Sequence, residues 1–295
     1  NYIRVYTQTN EFIRTYSSQL SASIDLRPAT VWVDKDGFRG FLARISDLAS
    51  LRADRKTADD DLGRALDPFT TDPTDTSLLS YSSSFRNTLF FNRTSRAWGI
   101  DHTWQSDRNR ILLVSGYEGR SNQLQQLRIR VNASRTWTLE VESEAGRTAT
   151  SSDLPSGRNF SVFKQGIKPR ITWQPNTQFR AALAYKRTEK HNAIEFGDER
   201  ALLQDLGVEI KWNTAGKGSL QGNFNLVEIA YDGTIDSSLG NEMLSGLKPG
   251  TNMTWAVTVQ RKLSSHLQVD LTYNGRKSED IKTIHVGGAQ VRAFF

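Results

Sequence analysis

The chain has no cysteine, and its apolar residues never run unbroken for more than a few positions, as in Ile111-Leu112-Leu113-Val114. The first absence removes disulfides and thiolate metal sites and is compatible with an oxidising envelope. The second excludes a transmembrane helix, which needs roughly 20 predominantly apolar residues. No basic stretch followed by an apolar one opens the chain. Asn1 leads straight into the strand-like Asn-Tyr-Ile-Arg-Val-Tyr, so the protein is expected to continue upstream. Gly-x-Ser-x-Gly, Walker-type and dinucleotide-binding motifs are missing too.

What remains is a chain of 295 residues, 37% hydrophobic and 24% charged, with a negative mean hydropathy of −0.53. That length suits two ordinary domains or one large all-β unit. Low hydropathy does not exclude a membrane protein, because a strand in a membrane barrel needs apolar side chains only at every second position. The net charge of +6 would permit a nucleic-acid partner. Its bases, however, are scattered at alternate positions among Asp and Glu, whereas a phosphate-tracking surface gathers them on one face, so no nucleic acid is expected.

Period-two alternation is the dominant signal. Leu127, Ile129, Val131 and Ala133 alternate with Arg128, Arg130 and Asn132; after an Asn-Ala-Ser-Arg turn, Trp137, Leu139 and Val141 alternate with Thr138, Glu140 and Glu142. This is a hairpin with one apolar and one charged face. A register bringing Arg130 beside Glu140 and Arg128 beside Glu142 would add cross-strand ion pairs worth roughly 0.2–1 kcal/mol each. The pattern recurs at Ile167 to Trp173 with Lys168 and Arg170 between, at Phe179 to Tyr185 with Arg180, at Leu206 to Trp212 with Glu209 and Lys211, and again at Met253 to Val259 and Leu267 to Tyr273.

Fourteen strands are expected, at 2–16, 18–33, 38–54, 81–92, 96–106, 122–133, 136–148, 160–174, 178–190, 203–213, 217–231, 250–262, 266–277 and 283–295. Pro28 predicts an irregular strand end. Short connections near 92–96 and after Trp173, Trp212 and Arg261 alternate with longer polar loops near 57–80, 107–122, 146–160, 188–202, 232–249 and 276–282, the rim asymmetry of a transmembrane barrel. Trp32, Trp98, Trp137, Trp173, Phe179 and Trp212, with Phe90 and Phe91, lie near short turns, where a girdle at the membrane interface is expected.

The fold class expected is therefore all-β: an antiparallel transmembrane β-barrel, about 14 strands of it visible, closing alone or forming an arc of a larger barrel. Residues 1–295 would form one barrel segment with 57–80 as a long extracellular loop. The lumen would be lined by Arg128, Arg130, Glu140, Glu142, Lys168, Arg170, Arg180, Glu209 and Lys211. Mixed charge there suits a plugged or weakly selective interior.

The chain ends Gly-Gly-Ala-Gln-Val-Arg-Ala-Phe-Phe, with Val291, Ala293 and Phe295 on one face. This resembles the C-terminal β-signal of outer-membrane proteins, which implies the barrel-assembly machinery as a partner. Asn-Arg-Thr-Ser-Arg-Ala-Trp-Gly-Ile-Asp (92–101), Thr-Trp-Gln-Pro-Asn-Thr-Gln-Phe-Arg (172–180), Gly-Leu-Lys-Pro-Gly-Thr-Asn-Met-Thr-Trp (246–255) and the 274–295 tail are similar to the C-terminal region of large, mostly uncharacterised outer-membrane proteins of Bacteroidetes-type bacteria. The resemblance implies an outer-membrane location, contact with its lipid and other envelope proteins, and a long region ahead of the barrel. It implies no activity.

No enzyme, cofactor or metal is expected. His102, His191, His266 and His285 lack zinc-site spacings. The acids at 59–61, with Asp54, Asp67, Asp72 and Asp75, lack a calcium-loop spacing. Two alternatives stay open: a soluble β-sandwich that binds carbohydrate on strand-borne tryptophans, and a barrel-borne hydrolase using Asp101, His102 and loop residues. The leading expectation is a barrel acting as pore, translocon or assembly scaffold.

Overall fold

The computed structural model describes residues 12–32, 37–59, 61, 63, 67, 76–153, 159–214, 216–279 and 281–294. Its strands are β1 (Tyr16–Leu26), β2 (Ile45–Thr57), β3 (Leu78–Phe91), β4 (Trp98–Leu113), β5 (Gly116–Asn132), β6 (Trp137–Ser152), β7 (Phe160–Trp173), β8 (Phe179–Asn192), β9 (Arg200–Thr214), β10 (Gly218–Tyr231), β11 (Gly250–Lys262), β12 (Leu267–Ser278) and β13 (Ile284–Ala293). They form one antiparallel sheet in which every strand pairs with its neighbours in sequence. A sandwich needs a second sheet against the apolar face, and among the described residues there is none. Leu127, Ile129, Val141, Leu183 and Ile210 stand 39–48% exposed on that face, so the sandwich alternative fails.

Register holds the two faces apart across the whole sheet. Ile129 sits beside Ile100 and Val141, and Leu183 beside Ile171 and Val208. Because the side-chain period is two, these pairings put the apolar sets of β4–β9 near the turn rim on one side and Arg128, Arg130, Glu140, Glu142, Lys168, Arg170 and Glu209 on the other.

The boundaries differ from expectation in informative ways. The expected strand at 2–16 lies largely outside the described residues, and 13 strands are described. The one expected at 18–33 stops at Leu26, where a short 3-10 turn, Pro28–Thr30, begins at the proline. Residues 38–42 are not strand: helix α1, Gly37–Leu42, precedes β2. Phe38 and Phe41, three apart, stack at 6.5 Å, and this helical spacing breaks the period of two. The loop expected at 107–122 is strand down to a two-residue turn, since Leu113 pairs with Gly116. Both faces are polar at 107–110 and 118–122 and both apolar at 111–114, which hides the alternation while leaving the backbone ladder intact. Strands likewise invade the loops expected at 146–160 and 188–202, reaching Ser152 and Asn192 and resuming at Arg200. The 57–80 loop shrinks to 58–77, most of it outside the described residues.

One rim carries the connections at 92–97, 133–136, 174–178, 215–217 and 263–266, together with the longer one at 27–44. The opposite rim carries 58–77, 114–115, 153–159, 193–199, 232–249 and 279–283. Side chains close the short turns. Asn176 Oδ1 accepts from the backbone N–H groups of Gln178 and Phe179, both at 2.9 Å, and Ser134 Oγ accepts from that of Trp137 at 3.1 Å; such local bonds favour turns over continued strand.

The sheet curls toward its polar face. A second helix, α2 (Ser238–Leu244), packs on β9 and β10, yet its Ser238 and Asn241 share a cavity with Asn109 and Ile111 of β4. On a flat sheet β4 and β10 would lie roughly 29 Å apart, six strand spacings, whereas a helix of this length spans about 10 Å. Only curvature brings the two regions together, as in the wall of a barrel.

Candidate functional site

The nine charged residues expected in a lumen share the polar, concave face. The ladder sets Arg128, Glu142 and Lys168 in one row and Arg130, Glu140 and Arg170 in the next, while Arg180 lies beside Lys211 and Ala182 beside Glu209. The expected ion pairs do not form in these rows. Arg128 also has Asp101 of β4 opposite it, and its guanidinium bonds there instead of to Glu142. Arg130 donates to the Ser95 carbonyl at 3.3 Å. A long arginine flanked by two strands chooses between partners, so register alone does not name the pair.

The pairs that do form reach further. Arg170 Nη2 meets Glu209 Oε2 at 2.7 Å across the whole of β8. That crossing is open because Ala182, Ala184 and Gly207 leave space, and the same residues border a cavity of about 380 Å³ with Lys168 and Arg170. Lys211 meets Glu209 from the other side at 2.9 Å. Nearer the loop rim the buried Glu144 carboxylate is held by Lys186 at 2.8 Å and Lys164 at 3.3 Å. Glu144, Lys164 and Lys186 were not among the sequence candidates, although each continues the period-two series of Glu142, Lys168 or Arg180.

Onto this face the 232–249 connection folds. Ser237 caps α2, its Oγ accepting from the Gly240 N–H at 2.8 Å, and Ser245 and Gly246, at φ +54° and +76°, end it in the left-handed conformation that commonly stops helices. Met243 and Leu244 are 0% and 2% exposed and pack with Phe160, Val162, Ala201, Leu203 and Ile229. Here, and not on the outer face, the sheet buries an apolar cluster. The signal is legible: at the loop-rim ends of β7, β9 and β10 the polar-face positions Val162, Leu203, Val227 and Ile229 become apolar.

Polar contacts add to the docking. Glu242 meets Arg120 of β5 at 2.9 Å. Lys190 of β8 donates to the Glu242 carbonyl at 2.5 Å and to Ser245 Oγ at 2.8 Å. Between loop and wall lies a cavity of about 540 Å³ bordered by Asn122, Glu144, Lys164, Lys186, Lys190 and Asp205.

The aromatic candidates gather at the turn rim on the apolar face. Trp137 and Trp173 stack at 6.0 Å, Trp173 meets Phe179 edge-on at 5.5 Å, and Phe179 pairs with Trp212. Trp98 contacts Phe91 at 5.5 Å, and Phe41 extends the row at the same distance. Trp32 lies in the 27–44 connection at the same rim. Phe90 belongs to the polar face, beside Asp101 and under the Arg93 guanidinium at 4.3 Å.

The hydrolase set is not assembled. Asp101 and His102 are consecutive in β4 and point to opposite faces, the first to Arg128 and the second to the apolar side with Ile100 and Trp104. His191 bonds Asp198, His266 the Phe294 carbonyl and His285 the Tyr273 hydroxyl, each at a separate place. Asp54 pairs with Arg52 at 2.8 Å, while Asp60, Asp72 and Asp75 lie outside the described residues. At the C-terminus Val291 and Ala293 face the apolar side, paired with Val269 and Leu267; Phe295 lies outside the described residues.

No family model matches the chain, and no curated protein does. Among solved structures, the translocator domain of the autotransporter NalP from Neisseria meningitidis aligns with 97% of this chain and 90% of that domain, at 10% identity and a TM-score of 0.33. So distant a likeness transfers no role to individual residues.

Proposed function

We propose that this chain forms the wall of a bacterial outer-membrane β-barrel, with a polar lumen narrowed by the 232–249 loop, and works as a pore, translocon or assembly-scaffold component. One observation carries the reading: strand after strand sets its apolar side chains on the face against which, among the described residues, no other part of the chain packs, and its charges on the enclosed face. A soluble sheet does the reverse, whereas a lipid-facing wall requires this order. The aromatic row at the turn rim supports an interface girdle. Arg128, Arg130, Glu140, Glu142, Lys168, Arg170, Arg180, Glu209 and Lys211 then line the lumen, where charges of both signs brace the wall and give a porin-like passage little selectivity.

Lipid is the partner of the outer face, and β13, with Val291 and Ala293 outward, is the strand offered to the barrel-assembly machinery. The Bacteroidetes-type resemblance of 92–101, 172–180 and 246–255 supports an envelope complex as the setting. The role is non-enzymatic, with no cofactor. The test is membrane fractionation joined to gel migration with and without boiling. Recovery in the outer membrane and a faster unboiled band are expected; a soluble protein, folded without detergent and indifferent to boiling, overturns the proposal.

A further inference from the structure

Three cations depart from the order that gives the wall its two faces. Arg108 and Arg110 of β4 and Arg147 of β6 lie on the apolar face at its loop-rim end, in register with Ser121, Gly119 and Gln123 of β5. On the polar face such residues meet carboxylates, as Arg128 meets Asp101 and Arg170 meets Glu209. Here none is available: from β3 to β7 the apolar face carries no Asp or Glu among the described residues. The hydrogen bond of Arg147 goes to the neutral Ser161, its Nε donating to Oγ at 2.7 Å, and its guanidinium lies over the Phe163 ring at 4.9 Å. Arg110 lies over the Tyr117 ring at 4.1 Å. Arg108 is exposed and has no partner among the described residues. Like charges with no counter-charge on their own face suit an anion from outside the chain.

Their height selects the anion. Arg108 lies ten residues along β4 from Trp98, and Arg147 ten along β6 from Trp137, both tryptophans of the turn-rim row. Ten residues of strand rise about 34 Å. A tilt of about 40° reduces this to roughly 26 Å, close to the ~25 Å apolar band of a spanning barrel. With the tryptophans at one membrane interface, the arginines stand at the other, level with lipid headgroups. The register sets Arg147 two strands from Arg108 and one side-chain row nearer the turn rim, which leaves about 12 Å between their backbones. Two long side chains can converge on one headgroup across that gap, with Gln123 between them, while Trp104, Leu127 and Ala145 continue the face toward the acyl chains. We infer that Arg108 and Arg147, with Arg110 beside them, hold the headgroup of an anionic, phosphate-bearing membrane lipid whose acyl chains lie along the apolar face of β4–β6. The guanidinium fork suits this task, because it meets phosphate oxygens two at a time. The inference rests on the barrel reading and gives the lipid at this part of the outer face a charge and a place.

The chain has no cysteine, so Ser106→Cys, on the same face and one row from Arg108, places a single fluorophore at the site. The full chain is checked for heat-modifiable migration and reconstituted in phosphatidylcholine bilayers. Doxyl-labelled phosphatidic acid or doxyl-labelled phosphatidylcholine is then titrated in as the quencher. Half-quenching is expected at a much lower mole fraction of phosphatidic acid. An arginine near anionic lipid contributes about fivefold, so Arg108→Gln with Arg147→Gln should raise that mole fraction about 25-fold. Arg108→Lys with Arg147→Lys keeps the charge and should lose less. Arg187→Gln should leave it unchanged, since Arg187, on the same face of β8, is already paired with Glu189 at 2.7 Å. An equal effect of Arg187→Gln overturns the assignment in favour of diffuse charge. Relief of quenching by inorganic phosphate, at an ionic strength where chloride gives none, overturns it in favour of a free-anion site. Equal quenching by the two lipids in heat-modifiable protein, or a preference that the double glutamine variant retains, overturns the inference and leaves the barrel standing. If the unsubstituted chain is not heat-modifiable, the barrel reading fails, and the inference with it.

Discussion

Truncating Leu244 to alanine should release α2 from the polar face far more than breaking the Arg120–Glu242 ion pair. Leu244 is 2% exposed within an apolar cluster, and losing a buried leucine side chain costs about 2–5 kcal/mol. The ion pair is 2.9 Å long, but its side chains are 63% and 26% exposed, and such pairs contribute about 0–1 kcal/mol. At about 1.4 kcal/mol per tenfold, Leu244→Ala should raise the undocked population by roughly thirty- to several-thousand-fold, and Arg120→Ala by about fivefold at most. Amide hydrogen exchange of 237–247 reads this directly. The N–H groups of Asn241, Gly246 and Leu247 bond within the segment, and where exchange follows the opening equilibrium the rate ratio is the population ratio. Equal or greater acceleration by Arg120→Ala would mean that charge, not burial, holds the loop. No acceleration by either would mean that the loop is not docked. If the face is a lumen, Leu244→Ala should also raise conductance across a planar bilayer.

Three further outcomes are expected. A Cβ at Gly275 would lie 2.1 Å from the Trp255 ring, so Gly275→Ala should destabilise by about 1–3 kcal/mol, seen as a lower midpoint for loss of the fast-migrating band; adding Trp255→Ala should recover part of the loss. Glu144→Ala leaves Lys164 and Lys186 without their shared buried carboxylate and should cost about 3 kcal/mol, read by the same midpoint. In the 193–199 loop, the hydrogen bond to His191, assisted by Arg200, holds the Asp198 carboxyl below its ordinary value. Its support is therefore complete above the usual aspartate value of about 3.9 and is lost as pH falls through the lowered one. Loop exchange, corrected for intrinsic rate, should rise as pH falls through that window, and Asp198→Asn should abolish this rise.

Where one face is apolar and the other charged, a strand is legible from its residues: 127–132, 137–141, 167–173 and 206–212 all lie in the sheet with the expected residues on the apolar face. Legibility fails where that contrast does. Residues 107–110 and 118–122 are polar on both faces and 111–114 apolar on both, so the stretch reads as loop, although its backbone stays paired up to Leu113 and from Gly116. Gly37–Leu42 reads as strand because two phenylalanines three apart are too few to announce a helix.

The sequence by itself determined the period of two, the antiparallel all-β class and the face on which each charge lies, because these depend on residues adjacent along one strand. Tertiary structure decided which charges meet. Arg128 turns to Asp101 and not Glu142, Arg170 crosses β8 to Glu209, and Glu144 gathers two lysines from β7 and β8. It also decided that the 232–249 connection folds inward to bury Met243 and Leu244. Those contacts join strands that follow one another at a distance along the chain, and they exist only once register and curvature have carried their side chains to the same side of the same wall.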